Sequence, residues 1–80
     1  MIKVGQIVIE QQQTGPSIVT RNTSATGVAV PRGKQGVEAL EWALDNGWKL
    51  AGQSTGILGQ DRLGRINFIV TCLLLKEQES

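Results

Sequence analysis

Only one stretch of this chain has the composition and spacing of a helix, and it stands between stretches that read as strands. From Gln35 to Asn46 good helix formers dominate, with Val37, Leu40 and Leu44 at i, i+3 and i+7 and Ala43 widening that stripe. Glu38, Glu41 and Asp45 line the flank. Gly47 is expected to take a left-handed conformation just past the helix end. Trp48 occupies the next position, where an apolar side chain folds back on the last turn. One short helix can cover one side of a sheet. Whatever the strands present on the other side must be shielded by something else.

The strands are read from alternation and breakers. Ile2-Lys3-Val4 and Ile7-Val8-Ile9 form one strand, with Gly5 as the expected site of a bulge that decides which face the later residues occupy. Gln11 to Pro16 reads as a turn, Ile18 to Arg21 as a second strand, and Asn22 to Thr26 as loop. Val28-Ala29-Val30 is a candidate third strand stopped by Pro31. Trp48-Lys49-Leu50 opens a strand interrupted by Gly52, Gly56 and Gly59, and residues 60–64 form a hairpin turn. Ile66 to Lys76 is the longest strand. It carries Ile66, Phe68, Val70, Cys72 and Leu74 on one face and Ile69, Leu73 and Leu75 on the other. Residues 76–80 read as a frayed tail.

The expected fold is therefore α+β and a single domain over residues 1–80. It is an antiparallel sheet of three to five strands with one helix packed on one face, in the order β-β-(β)-α-β-β. The expected core is Val4, Val37, Leu40, Leu44, Trp48, Leu50, Phe68, Val70 and Leu74, with Ile18 or Val19. A chain of 8.6 kDa buries only about 62% of its unfolded surface, so self-association is a natural supplement to so thin a core.

Composition removes most chemistry. Without histidine the chain has no conventional zinc site and no triad that uses imidazole as base, and Cys72, the single cysteine, cannot form an internal disulfide. No two carboxylates pair in an evident apolar setting, so a non-enzymatic protein without a cofactor is expected. The net charge of +1 is too small for a dedicated non-specific nucleic-acid binder. No apolar run approaches the ~20 residues needed to span a bilayer, and no leader pattern opens the chain, so a cytoplasmic protein is expected.

The segment Asp45-Asn46-Gly47-Trp48-Lys49-Leu50, followed by the terminal strand ending Leu73-Leu74-Leu75-Lys76, resembles a family of small bacterial proteins defined only as a domain of unknown function. Its members share a helix ending in Gly-Trp-x-Leu, then a hairpin whose last strand is apolar and closes with a basic residue. The likeness covers about residues 35–76. It implies a fold and a bacterial source, and no activity.

Two functional readings follow. In the first, the sheet face away from the helix mediates homo-oligomerisation, most simply a dimer. Ile69, Leu73 and Leu75 lie on it, with Ile7 and Ile9, or Val8, according to the Gly5 bulge. The opposing possibility is that residues 54–65 or 22–31 fold over that face. Trp42 points away from the helix stripe and joins the interface set unless a neighbouring loop covers it. In the second reading, Arg32, Gly33, Lys34 and Gly36 at the helix start bind a small anion, a nucleotide or nucleic-acid backbone. Arg21, Arg62 and Arg65 would join them if the second strand and the 59–65 turn approach each other. Cys72 reads as a small apolar strand residue.

Overall fold

The computed structural model describes residues 1–78. Gly15 takes a φ of 58°, so the chain reverses over Gly15-Pro16 alone and joins strand β1 (Ile2–Thr14) to strand β2 (Ser17–Thr26). The glutamines at 11–13, expected in a turn, thus continue β1, and Asn22–Thr26, expected as loop, continue β2. Their side chains hang from ladder-paired backbone, which satisfies the main-chain groups whatever the side-chain polarity. The bulge lies between Glu10 and Gln11, opposite Thr20–Asn22, and not at Gly5.

Residues 27–36 form a connecting loop. Val28-Ala29-Val30 is no strand, because the Val30 N–H turns back to the Val28 carbonyl at 3.0 Å. Helix α1 (Val37–Asp45) follows Gly36. Its stop is built by Gly47 at φ 91°, with the Gly47 N–H donating to the Leu44 carbonyl at 3.3 Å and the Trp48 N–H donating to the Ala43 carbonyl at 3.0 Å. Strands β3 (Lys49–Gln60) and β4 (Ile66–Glu77) make the second hairpin. The expected fraying of residues 76–80 does not extend to 76–78: Lys76 and Glu77 pair with β1, and the Gln78 N–H donates to the Met1 carbonyl at 2.8 Å. Glu79 and Ser80 lie outside the described residues.

The fold is α+β, one four-stranded antiparallel sheet with one helix. The strand order is β2-β1-β4-β3, so the two hairpins join edge to edge through the central β1–β4 ladder. The segment from β2 to β3 must cross the sheet from one edge to the other. Loop 27–36 and α1 make that crossing at the end where β2 finishes and β3 begins. Both hairpin turns lie at the opposite, distal end.

The helix is rolled relative to the face its leucines suggest. Ala39 and Ala43 are fully buried, whereas Val37 and Leu44 are exposed and Leu40 and Trp42 are half-buried. At 100° per residue this is a rotation of about 100° from the Val37–Leu40–Leu44 stripe. Trp48 and Val28 explain it: both are buried between crossing and sheet, and they leave room for methyl groups only. Gly5 belongs to the same contact. A Cβ there would overlap Val28 Cγ2 and stand 3.0 Å from the Trp48 ring, so glycine serves close approach.

The core is thus Ile7, Ile9, Val28, Ala43, Trp48, Cys72 and Leu74, with Val30, Leu40, Trp42 and Val70 packed against it. Val4, Val37, Leu44, Leu50, Ile18 and Val19, expected inside, are exposed. Phe68 is half-buried.

Candidate functional site

Register assigns the paired strand residues to faces, with Arg21, Ala51 and Leu58 left unpaired at register shifts. Ile7, Ile9, Cys72 and Leu74 are buried on the side of the crossing, the near face. By alternation, Ile2, Val4, Gln6, Val8 and Glu10 of β1 and Leu75, Leu73, Thr71 and Ile69 of β4 point to the far face. The expected interface set divides accordingly. Ile69, Leu73 and Leu75 lie on the far face, but Ile7 and Ile9 do not: without a bulge at Gly5 they are 0% and 3% exposed in the core. Val4 and Val8 take their places. Trp42 is also absent from the far face; it packs half-buried against the core from the helix.

The far face has a definite layout. Val4 pairs with Leu75, Gln6 with Leu73, Val8 with Thr71 and Glu10 with Ile69 across the two central strands. Beside them on β3 stand Gly52, Ser54 and Gly56, and on β2 Thr26, Ser24 and Asn22. An apolar central strip is therefore flanked by small side chains, and its charges (Lys49, Glu77 and Glu10) stand toward its ends. Loop 27–36 lies on the near face, where Val28 meets Trp48 and the Gly36 N–H donates to Thr23 Oγ1 at 2.7 Å. Neither it nor residues 54–65, which are strand β3 and its turn, folds over the far face. Val4 is 60% exposed and Leu73 43%.

The basic residues fall into separate places. Arg32, Gly33 and Lys34 line a cleft of about 340 Å³ with Thr23 and Gln35 beside the helix start. Gly36 is buried there, and its N–H, the group best placed for an anion, is already given to Thr23. Arg62 and Arg65 sit in the distal β3–β4 turn, and Arg21 on edge strand β2, so the structure does not gather them into one pocket. Arg65 is paired: its guanidinium and backbone N–H both donate to Asp61. Asp61 feels opposing effects. Desolvation raises its pKa, but the hydrogen bonds from Arg65 and Leu63 and the Arg65 charge together hold the carboxyl below its ordinary value.

Cys72 is buried on the near face, and desolvation pushes its thiol pKa up, which favours the unreactive neutral form. Among the described residues no three of Cys, Asp and Glu converge to hold a metal ion, and no helix is long and apolar enough to cross a membrane. The far-face strip was half visible in the sequence. Alternation along β4 marked Leu73 and its neighbours, while the β1 half depended on whether Gly5 shifts the register. No family model, curated protein or solved structure matches the chain.

Proposed function

We propose that this chain is a non-enzymatic self-associating module that pairs with a second copy through the far face of its sheet. The observation that carries this reading is surplus surface. The chain exposes 5658 Å², against about 4,700 Å² expected for a folded monomer of its mass, a surplus of roughly 950 Å². A stable interface removes about 800 Å² from each partner. The surplus goes with an elongated shape, 52 × 22 × 18 Å, whose radius of gyration is 14.0 Å where about 11.6 Å is expected for a monomer of this length.

The far face is suited to sheet-on-sheet packing. Two sheets stacked about 10 Å apart interdigitate their side chains, and Val4, Val8, Ile69, Leu73 and Leu75 supply those side chains. The small residues on β2 and β3 let the central strips approach. Two rows at the middle, Gly52-Leu73-Gln6-Thr26 and Ser54-Thr71-Val8-Ser24, hold no charge, and interface centres are depleted of charge. The dimer is the expected closed form, because one patch on each copy is self-complementary about a two-fold axis.

Sedimentation equilibrium at micromolar concentration tests the reading. The wild-type chain should sediment as a dimer, and Leu73→Lys as a folded monomer with an unchanged circular-dichroism spectrum, since Leu73 supports no monomer core. A wild-type monomer, or a Leu73→Lys variant that still dimerises, refutes it.

A further inference from the structure

The β1–β4 register sets Lys3 directly opposite Lys76, two like charges on neighbouring strands, and such pairs are unfavourable unless something answers them. Nothing does among the described residues, where the one ion pair is Arg65–Asp61 at the distal turn. By alternation both lysines lie on the near face, beyond Gly5 and Leu74, and both line a cleft of about 390 Å³. Its walls include Trp42, Trp48 and Asn46, and among the described residues no carboxylate lines it. The Lys76 ammonium stands 5.9 Å from the centre of the Trp48 ring, and Trp42 is half-buried beside the core with part of its indole open.

The helix end facing this cleft does not neutralise the lysines. The carbonyls of Trp42, Ala43 and Leu44 already accept hydrogen bonds from Asn46, Gly47 and Trp48. Those three carbonyls are therefore engaged within the helix stop and are not free to accept from the lysine ammonium groups.

We infer that this cleft binds a small organic anion carrying a flat ring, its phosphate or carboxylate between Lys3 and Lys76 and its ring against Trp42. The volume suits a ligand of that size. Opposed lysines become favourable once a shared anion bridges them, and an indole face provides the stacking surface. The site lies on the near face, separate from the dimerisation surface, so neither proposal depends on the other.

The chain has two tryptophans, both in this cleft, and their indole N–H resonances report binding directly in the full-length protein. Titrations with AMP, benzoate, adenosine and inorganic phosphate separate the contributions. AMP or benzoate should shift both resonances saturably, at least about tenfold more tightly than adenosine or phosphate, a tenfold step being about 1.4 kcal/mol. Lys3→Gln, at an exposed position, should weaken that binding about tenfold, whereas Arg62→Gln in the distal turn should leave it unchanged. No saturable shift with either anion, adenosine binding as well as AMP, phosphate alone binding as well as AMP and benzoate, or an unaltered affinity in Lys3→Gln overturns the assignment.

Discussion

The buried glycine of β1 offers the sharpest test of how the crossing is held on the sheet. Gly5→Ala adds one methyl group, and in an exposed strand that change stabilises by about 0.5–1 kcal/mol, because alanine loses less backbone entropy than glycine on folding. At this position the methyl overlaps Val28 Cγ2 and meets Trp48 ring atoms at 3.0 and 3.1 Å. Neither neighbour can withdraw freely, since Val28 and Trp48 are 6% and 5% exposed. Overpacking costs about 1–3 kcal/mol, and overlap with one held neighbour plus tight contact with a second belongs in the upper half of that range, so the net loss should be about 1–2 kcal/mol. For a domain of this size that lowers the melting temperature by roughly 4–16 °C. Val28→Ala alone removes two buried methyl groups and should cost about 1.5 kcal/mol. The double variant decides the matter: the methyl added at position 5 occupies space that Val28 Cγ2 vacates, so the two losses should fall short of additive by about 1 kcal/mol or more. Thermal and urea unfolding of the four proteins, at one fixed concentration, gives the cycle. A Gly5→Ala variant as stable as wild type, or strictly additive losses, would refute the close-approach role of Gly5 and reopen the question of why the strand carries a glycine there.

Two further outcomes are fixed by titratable groups. The Asp61 carboxyl has a lowered pKa in the folded turn, so its contribution is present above the pKa of the unfolded chain and is lost as pH falls through the folded value. Amide shifts of Leu63 and Arg65, whose N–H groups donate to Asp61, should titrate with a midpoint below 3.8, and Asp61→Asn should abolish that transition; a midpoint at or above 3.8 would contradict the turn geometry. Cys72, 2% exposed and with its thiol pKa pushed up by desolvation, should react with an aromatic disulfide reagent about a hundredfold or more slowly in the native protein than in denaturant, and fast native labelling would contradict its place in the core.

Legibility in the sequence tracked the range over which each signal acts. The helix stop was readable because Gly47 and Trp48 act on the turn immediately before them. The β4 faces were readable because period-two alternation needs no partner, and Cys72 and Leu74 are buried while Leu73 is exposed. The roll of the helix was not. Three large apolar residues outweigh two alanines on any hydropathy pattern, yet Ala39 and Ala43 face inward because Trp48 and Val28 already fill the gap. That contact couples residues 28, 43 and 48 to Gly5, and no local pattern carries it. The fate of Ile7 and Ile9 followed from the same cause: a glycine kept for close approach looks identical in sequence to one kept for a bulge, and the two place opposite faces of β1 in the core. The length of the strands was hidden for a different reason. Gln11-Gln12-Gln13 and the hydroxyl-rich Asn22–Thr26 have weak strand character on their own and are held by ladder partners far along the chain, such as Phe68 and Asn67 opposite Gln11 and Gln12.

A mismatch of lengths underlies both faces of the sheet. Nine helical residues extend about 13 Å, whereas strands of 12 and 13 residues extend about 40 Å. The helix cannot cover even its own face, and the near side of β3 shows this: Thr55 and Ile57 are exposed, Ile57 at 77%. A longer helix would not repair the far face, because the connection from β2 to β3 passes over one side only. An uncovered far face is therefore built into the topology, and only the choice of side chains decides whether it is apolar. Replacing the far-face residues with charges would leave the monomer core intact, since Ile7, Cys72 and Leu74 do not depend on them. That the strip instead carries Val4, Val8, Ile69, Leu73 and Leu75, between glycine and serine on β3 and Thr26, Ser24 and Asn22 on β2, is unexplained by the needs of a single subunit, and it is what a second sheet laid across it would require.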